Sequence, residues 1–302
     1  MTNTRLTRRF AIVAAASLAL LSACSGSSSG GDSTVAAETT VAASPGNGKK
    51  ILSLSPTATE MIYAIGAGDQ VVAVDSLSNY PADASAKITK ISAFEPNAEA
   101  ILGYEPDVVL ISNDMNKISE QLTKAKPDIT IWTGAMATTL EDVYTQIGEL
   151  GTLTGHEAEA TALVDTMKKD IAAATDGVAA PTGSTYFYEL DNTYYSLTSR
   201  TFVGSLLAGT GITNIADDVE SGNDWPQLNA ESIVKANPSV IFLADTKCCQ
   251  QTAAEVAKRA GWSGIDAVKN GKVVELDEDI ASRWGPRVVE LVTVMVEAIK
   301  GL

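Results

Sequence analysis

One histidine and three cysteines in 302 residues leave little material for catalysis or metal binding. Nucleophilic hydrolysis commonly needs a base beside the nucleophile, and His156 is the single imidazole. It falls in Gly155-His156-Glu157 at the start of a helical pattern, where a solvated histidine is expected. No Gly-x-Ser-x-Gly elbow occurs, and Gly66-Ala67-Gly68 follows a helical stretch and reads as its stop rather than as a phosphate loop. Zinc is disfavoured because ligands of the right type are not grouped in sequence, and no cofactor is implied. Positive charge is scarce too: 22 Lys and Arg stand against 37 Asp and Glu, a net charge of −15. A body so acidic suits neither nucleic acid nor an anionic lipid surface, but it suits docking onto a basic protein face. No run reaches about 18 uninterrupted apolar residues, so nothing reads as a membrane span.

What is present begins with Arg5, Arg8 and Arg9, then an apolar run of 12 residues from Phe10 to Leu21. That is the length of a signal-peptide core. Leu21-Ser22-Ala23-Cys24 resembles a bacterial lipobox, which makes residues 1–23 a lipoprotein signal peptide and Cys24 the lipidated residue. Arg8-Arg9-Phe10 hints at twin-arginine export, and the route stays open. Removing residues 1–23 takes away three arginines and no acid, leaving 19 basic against 37 acidic residues, or −18. Ser25 to Gly48 is built almost entirely of Ser, Gly, Ala, Thr and Val, so residues 24–49 are expected to form a flexible tether. The body would then lie outside the cytoplasm, anchored to the cell membrane by lipid. Cys248 and Cys249 are adjacent, with Cα atoms about 3.8 Å apart against a usual disulfide separation of roughly 4.4–6.8 Å. Outside the reducing cytosol a vicinal disulfide and two free thiols are both open.

From Lys50 the chain alternates short β-rich runs with helical patterns, as a parallel α/β sheet requires. Strands are expected at 51–54, 71–74, 108–111, 129–132, 185–189, 240–244 and 272–276. Ser55 is a natural N-cap with Pro56 at the first helical position. A long helical pattern over 139–174 carries breaks at Gly151 and Gly155. The expected organisation is an N-terminal lobe at 50–150, a linker helix at 151–180 and a C-terminal lobe at 181–302. An internal repeat supports it: Asn97-Ala98-Glu99-Ala100-Ile101-Leu102 before Pro106-Asp107-Val108 returns as Asn229-Ala230-Glu231-Ser232-Ile233-Val234 before Pro238-Ser239-Val240, offset by 132 residues. Each copy reads as an Asn-capped helix, a proline stop and a buried strand. Glu99 and Glu231 are either partners of their helix dipoles or two symmetry-related docking carboxylates.

Four stretches carry a family resemblance: Leu54-Ser55-Pro56-Thr57-Ala58-Thr59-Glu60, Ser78-Asn79-Tyr80-Pro81, the paired Asn-Ala-Glu elements, and Arg283-Trp284-Gly285-Pro286-Arg287. From Ile51 to the C-terminus the chain resembles the helix-linked (class III) binding proteins of ATP-binding cassette importers for cobalamin, ferric siderophores and haem. The resemblance implies an α/β fold of two Rossmann-like lobes joined by a long linker helix, with the ligand cleft between them. It implies no enzyme activity, a monomer, a membrane permease as partner, and docking of that permease on Glu99 and Glu231. Its cobalamin-binding members further match Pro56, Thr57, Tyr80, Trp225 and Arg287 as ligand-facing positions. Two departures leave the substrate open between a corrinoid and an iron chelate or haem. Ala93-Phe94 and Ser112 stand where cobalamin binders tend to carry tryptophans.

Ligands of open α/β sheets bind beyond the carboxyl ends of strands. Here that adds Asn113, Asp114 and Asp191 to Tyr195, and it places Cys248-Cys249 at a cleft rim. The expected ligand-binding set is Pro56, Thr57, Tyr80, Phe94, Tyr194, Tyr195, Trp225 and Arg287, aromatics that suit a large flat ligand. Arg200, Arg283 and Arg287 could offset ligand charge. Arg283 could instead pair with an acid such as Asp277 or Asp279. Against the importer reading stand an enzyme and an adhesion or scaffold lipoprotein.

Overall fold

Runs of β-branched residues and leucine form strands most readily where both faces are covered. In the computed structural model, which describes residues 46–302, the first half contains β1 (Ile51–Leu54), β2 (Val71–Val74), β3 (Val108–Ile111) and β4 (Thr130–Thr133). The second contains β5 (Thr185–Glu189), β6 (Thr213–Asn214), β7 (Val240–Leu243) and β8 (Val273–Glu275). Each half forms one parallel sheet, ordered β2-β1-β3-β4 and β6-β5-β7-β8. The two orders are the same, as the internal repeat implies. Ile51 to Leu54 lie opposite Val108 to Ile111, and Tyr186 to Glu189 opposite Val240 to Leu243. In each sheet the chain crosses to one side of its first strand and then to the other. The crevice at that reversal opens beyond the carboxyl ends of β1 and β3, and of β5 and β7. The two-residue β6 is too short and polar to have been expected.

Ser55 caps the helix Pro56–Ala64, its side chain accepting from the Ala58 N–H. The repeated Asn97 and Asn229 do the same for Ala98–Leu102 and Ala230–Ala236. The expected double break in 139–174 is a single one. The helix Leu140–Thr154 runs through Gly151 and ends at Gly155, whose φ of 76° suits glycine. Gly151 instead permits a close helix crossing, since a Cβ there would sit 2.5 Å from Ala160 Cβ.

The helix Glu157–Thr175, about 28 Å long at 1.5 Å per residue, then connects the two sheets. The last helix, Val288–Lys300, packs along it and buries Val288, Leu291, Val292, Met295, Val296 and Ile299, one face at helical spacing. One core cluster runs without interruption from Ile51 and Val108 of the first sheet through Met167, Ile171 and Met295 to Tyr186 and Phe242 of the second. Continuous packing of this kind resists a wide hinge motion.

Two expectations are corrected. His156 is 3 % exposed, not solvated: Gly46 passes close to its ring, and Nδ1 lies 3.1 Å from the Thr154 carbonyl oxygen. The end of the expected tether is tied down, because Asn47 donates from its backbone to Thr154 O and from its side chain to Leu153 O. The signal peptide, Cys24 and the tether up to residue 45 lie outside the described residues. Among those described, no helix is long and apolar enough to cross a membrane.

Candidate functional site

Two neighbouring cavities share Ser282, Arg283 and Trp284 as a common wall. The larger, about 430 Å³, is formed where β1, β2 and β3 end, by Pro56, Thr57, Asp75, Phe94, Ser112 and Asn113 among others. The smaller, about 230 Å³, joins Met136 to Thr138 of the first half to Leu190, Phe202, Asp224 and Trp225 of the second. Pro56, Thr57, Phe94, Asn113 and Trp225 line these cavities. So do Ala93 and Ser112, the two departures from the cobalamin-binder pattern. Trp284 walls both cavities, anchored by its indole N–H to Gln146 Oε1 at 3.1 Å. It belongs to a recognised motif but was not assigned to the ligand.

A polar chain underlies the larger cavity. Thr59 Oγ1 donates to Ser53 Oγ at 2.9 Å and lies 3.0 Å from Ser78 Oγ, which donates to Asp75 Oδ1 at 2.5 Å. Ser112 Oγ donates to the cap oxygen of Ser55 at 2.7 Å. Asp75 is fully buried, and burial pushes its carboxyl above the usual carboxylate range despite the Ser78 and Leu77 donors and Arg283.

Behind this wall, Glu60 holds together two recognised motifs. It is 3 % exposed and accepts from Arg283 Nη1 at 2.8 Å, from Arg287 Nε at 2.8 Å and from Arg287 Nη2 at 2.5 Å. Arg283 also donates to Leu77 O and to Asp279, whose other oxygen takes Asn79 and Lys247. Arg283 thus meets the acid-partner reading. Arg287 is not a cleft arginine: Glu60 engages it, and its guanidinium sits 4.0 Å from the centre of the Tyr80 ring. Tyr80 accordingly lines a separate groove with Glu60 and Arg287 rather than either cleft cavity.

In the second half, β5 and β7 end on a buried cluster. Glu189 is bidentate with Arg259 at 2.5 and 2.7 Å, and Arg259 lies over both Trp262 and Tyr194. Tyr194 stacks on Trp262 at 5.7 Å, so it packs beneath the site and not within it. Tyr195 is exposed, pairs with Gln227 and lines neither cavity. Arg200 bonds Asp224 at 2.7 Å. Cys248 and Cys249 are free thiols and line neither cavity, although the Cys248 N–H donates to the cavity residue Glu278. Desolvation, Cys249 and nearby acids push the Cys248 thiol up to about 12, so it stays protonated at neutral pH.

Asp245 lies fully buried beside Glu189. Burial and then repulsion from Glu189 push it up to about 7. An acid with a raised folded pKa binds its proton more tightly in the native state, so stability must fall as pH rises from about 4 to about 7. Asp245→Asn is expected to flatten that slope and to raise the denaturation midpoint above pH 7. Urea melts at pH 4, 6 and 8 check it; an unchanged slope would refute the assignment.

Glu99 and Glu231 are exposed in the first turns of their helices, one in each half. Among the described residues no group of three or more His, Cys, Asp or Glu is arranged to hold a metal.

The chain belongs to the periplasmic binding protein family, whose model matches residues 51–280. It is therefore a ligand-binding component of transport rather than a catalyst, in two α/β lobes with parallel sheets. It is 35 % identical over 258 residues to an uncharacterized ABC transporter substrate-binding lipoprotein of Bacillus subtilis (strain 168), covering 83 % of this chain and 80 % of that one. A cobalamin-binding protein of Halobacterium salinarum is 28 % identical over 257 residues, 83 % of this chain and 69 % of its own. The crystal structure of the periplasmic vitamin B12 binding protein of Vibrio cholerae superposes with a TM-score of 0.68 at 25 % identity, over 85 % of this chain and 99 % of that one.

Proposed function

We propose that this chain is the extracytoplasmic, lipid-anchored substrate-binding protein of an ATP-binding cassette importer, and that it captures a cobalamin-type corrinoid. The carrying observation is a pair of adjoining cavities walled by Phe94, Trp225 and Trp284, with hydroxyl and amide groups in their lining. Flat apolar faces beside scattered polar groups suit a macrocycle that carries amides around its rim. The similarity to proteins named for cobalamin and vitamin B12 supports the same choice. In this reading a monomer, held at the membrane through Cys24, grips the ligand with little hinge motion. It then presents Glu99 and Glu231 to basic residues of the permease.

Trp225 supplies the test, because it stands 45 % exposed at the smaller cavity and, among the described residues, packs on no other ring. Trp225→Ala should leave the melting temperature nearly unchanged and weaken cyanocobalamin binding about tenfold, some 1.4 kcal/mol. Titration followed by corrin absorbance measures it. Undiminished affinity would remove the cleft from the proposal.

A further inference from the structure

We infer that the cleft sorts ligands by charge, admitting uncharged or cationic corrinoids and turning away anionic ones; this rests on the corrinoid reading of the cleft. The charged side chains that wall the two cavities are Asp75, Glu278, Asp279, Arg283, Arg200 and Asp224. Both arginines are already engaged. Arg283, 8 % exposed in its side chain, binds Glu60 and Asp279, and Arg200 binds Asp224. Lys247, just outside, binds Asp277 and Asp279. Among the described residues, each cation walling the cleft already has a carboxylate partner, so an anion on the ligand must compete with that partner.

The acids are in the opposite situation. Glu278 uses one oxygen to accept the Lys247 and Cys248 N–H groups and, among the described residues, has no cation within salt-bridge distance. Asp75, fully buried at the larger cavity, keeps Oδ2 without a hydrogen-bond partner. The second Glu278 oxygen is left to take an N–H donor brought by the ligand, and a carboxamide or an ammonium supplies one. A carboxylate on the ligand supplies only like charge, in a partly enclosed space where water screens it poorly. A chelate carrying several negative charges meets the same obstacle.

The test uses the full chain in detergent at pH 7 and low salt, titrated calorimetrically with four probes. These are cyanocobalamin, a cationic cobinamide, a cyanocobalamin in which one rim amide is hydrolysed to a carboxylate, and the methyl ester of that carboxylate. The ester loses the amide donor without gaining charge, so it separates the two effects. Cyanocobalamin and the cobinamide should bind within a few-fold of each other, with the ester close behind. The carboxylate should bind at least tenfold more weakly than its ester, and the gap should narrow with added salt. Glu278→Gln keeps an oxygen to accept the two N–H groups while removing the charge, and it should shrink the gap. Equal affinity of carboxylate and ester, with cyanocobalamin still binding, overturns the charge filter alone. An unchanged gap in Glu278→Gln overturns the part assigned to Glu278. No binding by any corrinoid overturns the corrinoid reading beneath it.

Discussion

Glu60→Ala is expected to destabilise the protein by about 3–5 kcal/mol, the cost of removing one member of a buried ion cluster. The two guanidiniums it joins are almost as buried as it is, with side-chain exposures of 8 % for Arg283 and 14 % for Arg287. Without Glu60, Arg287 loses its carboxylate partner and Arg283 keeps only Asp279. Asp279 can reach only Arg283, and it is already shared with Lys247 and Asn79. The cluster also ties the helix Pro56–Ala64 of the first half to the segment leading into the last helix, so its loss should loosen the wall shared by both cavities. Glu60→Gln should fall short of full rescue, because an amide accepts hydrogen bonds without neutralising two cations. Replacing all three residues by leucine or methionine should cost far less than Glu60→Ala, since apolar packing can substitute for a buried pair. Guanidinium melts of the three variants give the order, and a loss below 1 kcal/mol for Glu60→Ala would contradict it.

The second large effect concerns transport and leaves binding alone. Glu99→Arg combined with Glu231→Arg should reduce uptake of labelled ligand by roughly a hundredfold or more, because like charges brought face to face cost several kcal/mol. Ligand affinity should be unchanged, since neither carboxylate lines a cleft cavity. The single reversals should each keep part of the activity, as two symmetric contacts allow. If the glutamates served only the helix dipoles, their removal would cost at most about 1 kcal/mol of stability and leave uptake intact. Uptake assays beside a thermal melt separate the two readings.

The two-sheet fold was legible because its signals are local. An asparagine side chain reaches an N–H three residues on, so the repeat at 97 and 229 announced its own capped helices. Buried runs such as Val108–Ile111 need no partner to be recognised. Half the site was legible for the same reason, through strand ends and aromatics beside proline. The rest depended on distant pairing. Glu60 lies 223 residues from Arg283 and 227 from Arg287, and nothing near it in sequence distinguishes an ion-pair acid from a surface one. Arg287 was expected in the cleft on the family resemblance, and with its partner so distant nothing local in the sequence spoke against that. Tyr194 was misplaced because its stacking partner Trp262 comes from a distant 3-10 turn. His156 has the local context of a solvated helix start, and it is covered by a segment more than a hundred residues earlier.

The central claim, capture of a corrinoid in the cleft between the two sheets, is tested most directly by calorimetry on the intact chain with cyanocobalamin, haem and a ferric tris-catecholate siderophore in parallel. The account predicts saturable one-to-one binding of cyanocobalamin and at least tenfold weaker binding of the two anionic iron ligands. Tight binding of haem or of the ferric chelate, with cyanocobalamin silent, would contradict it.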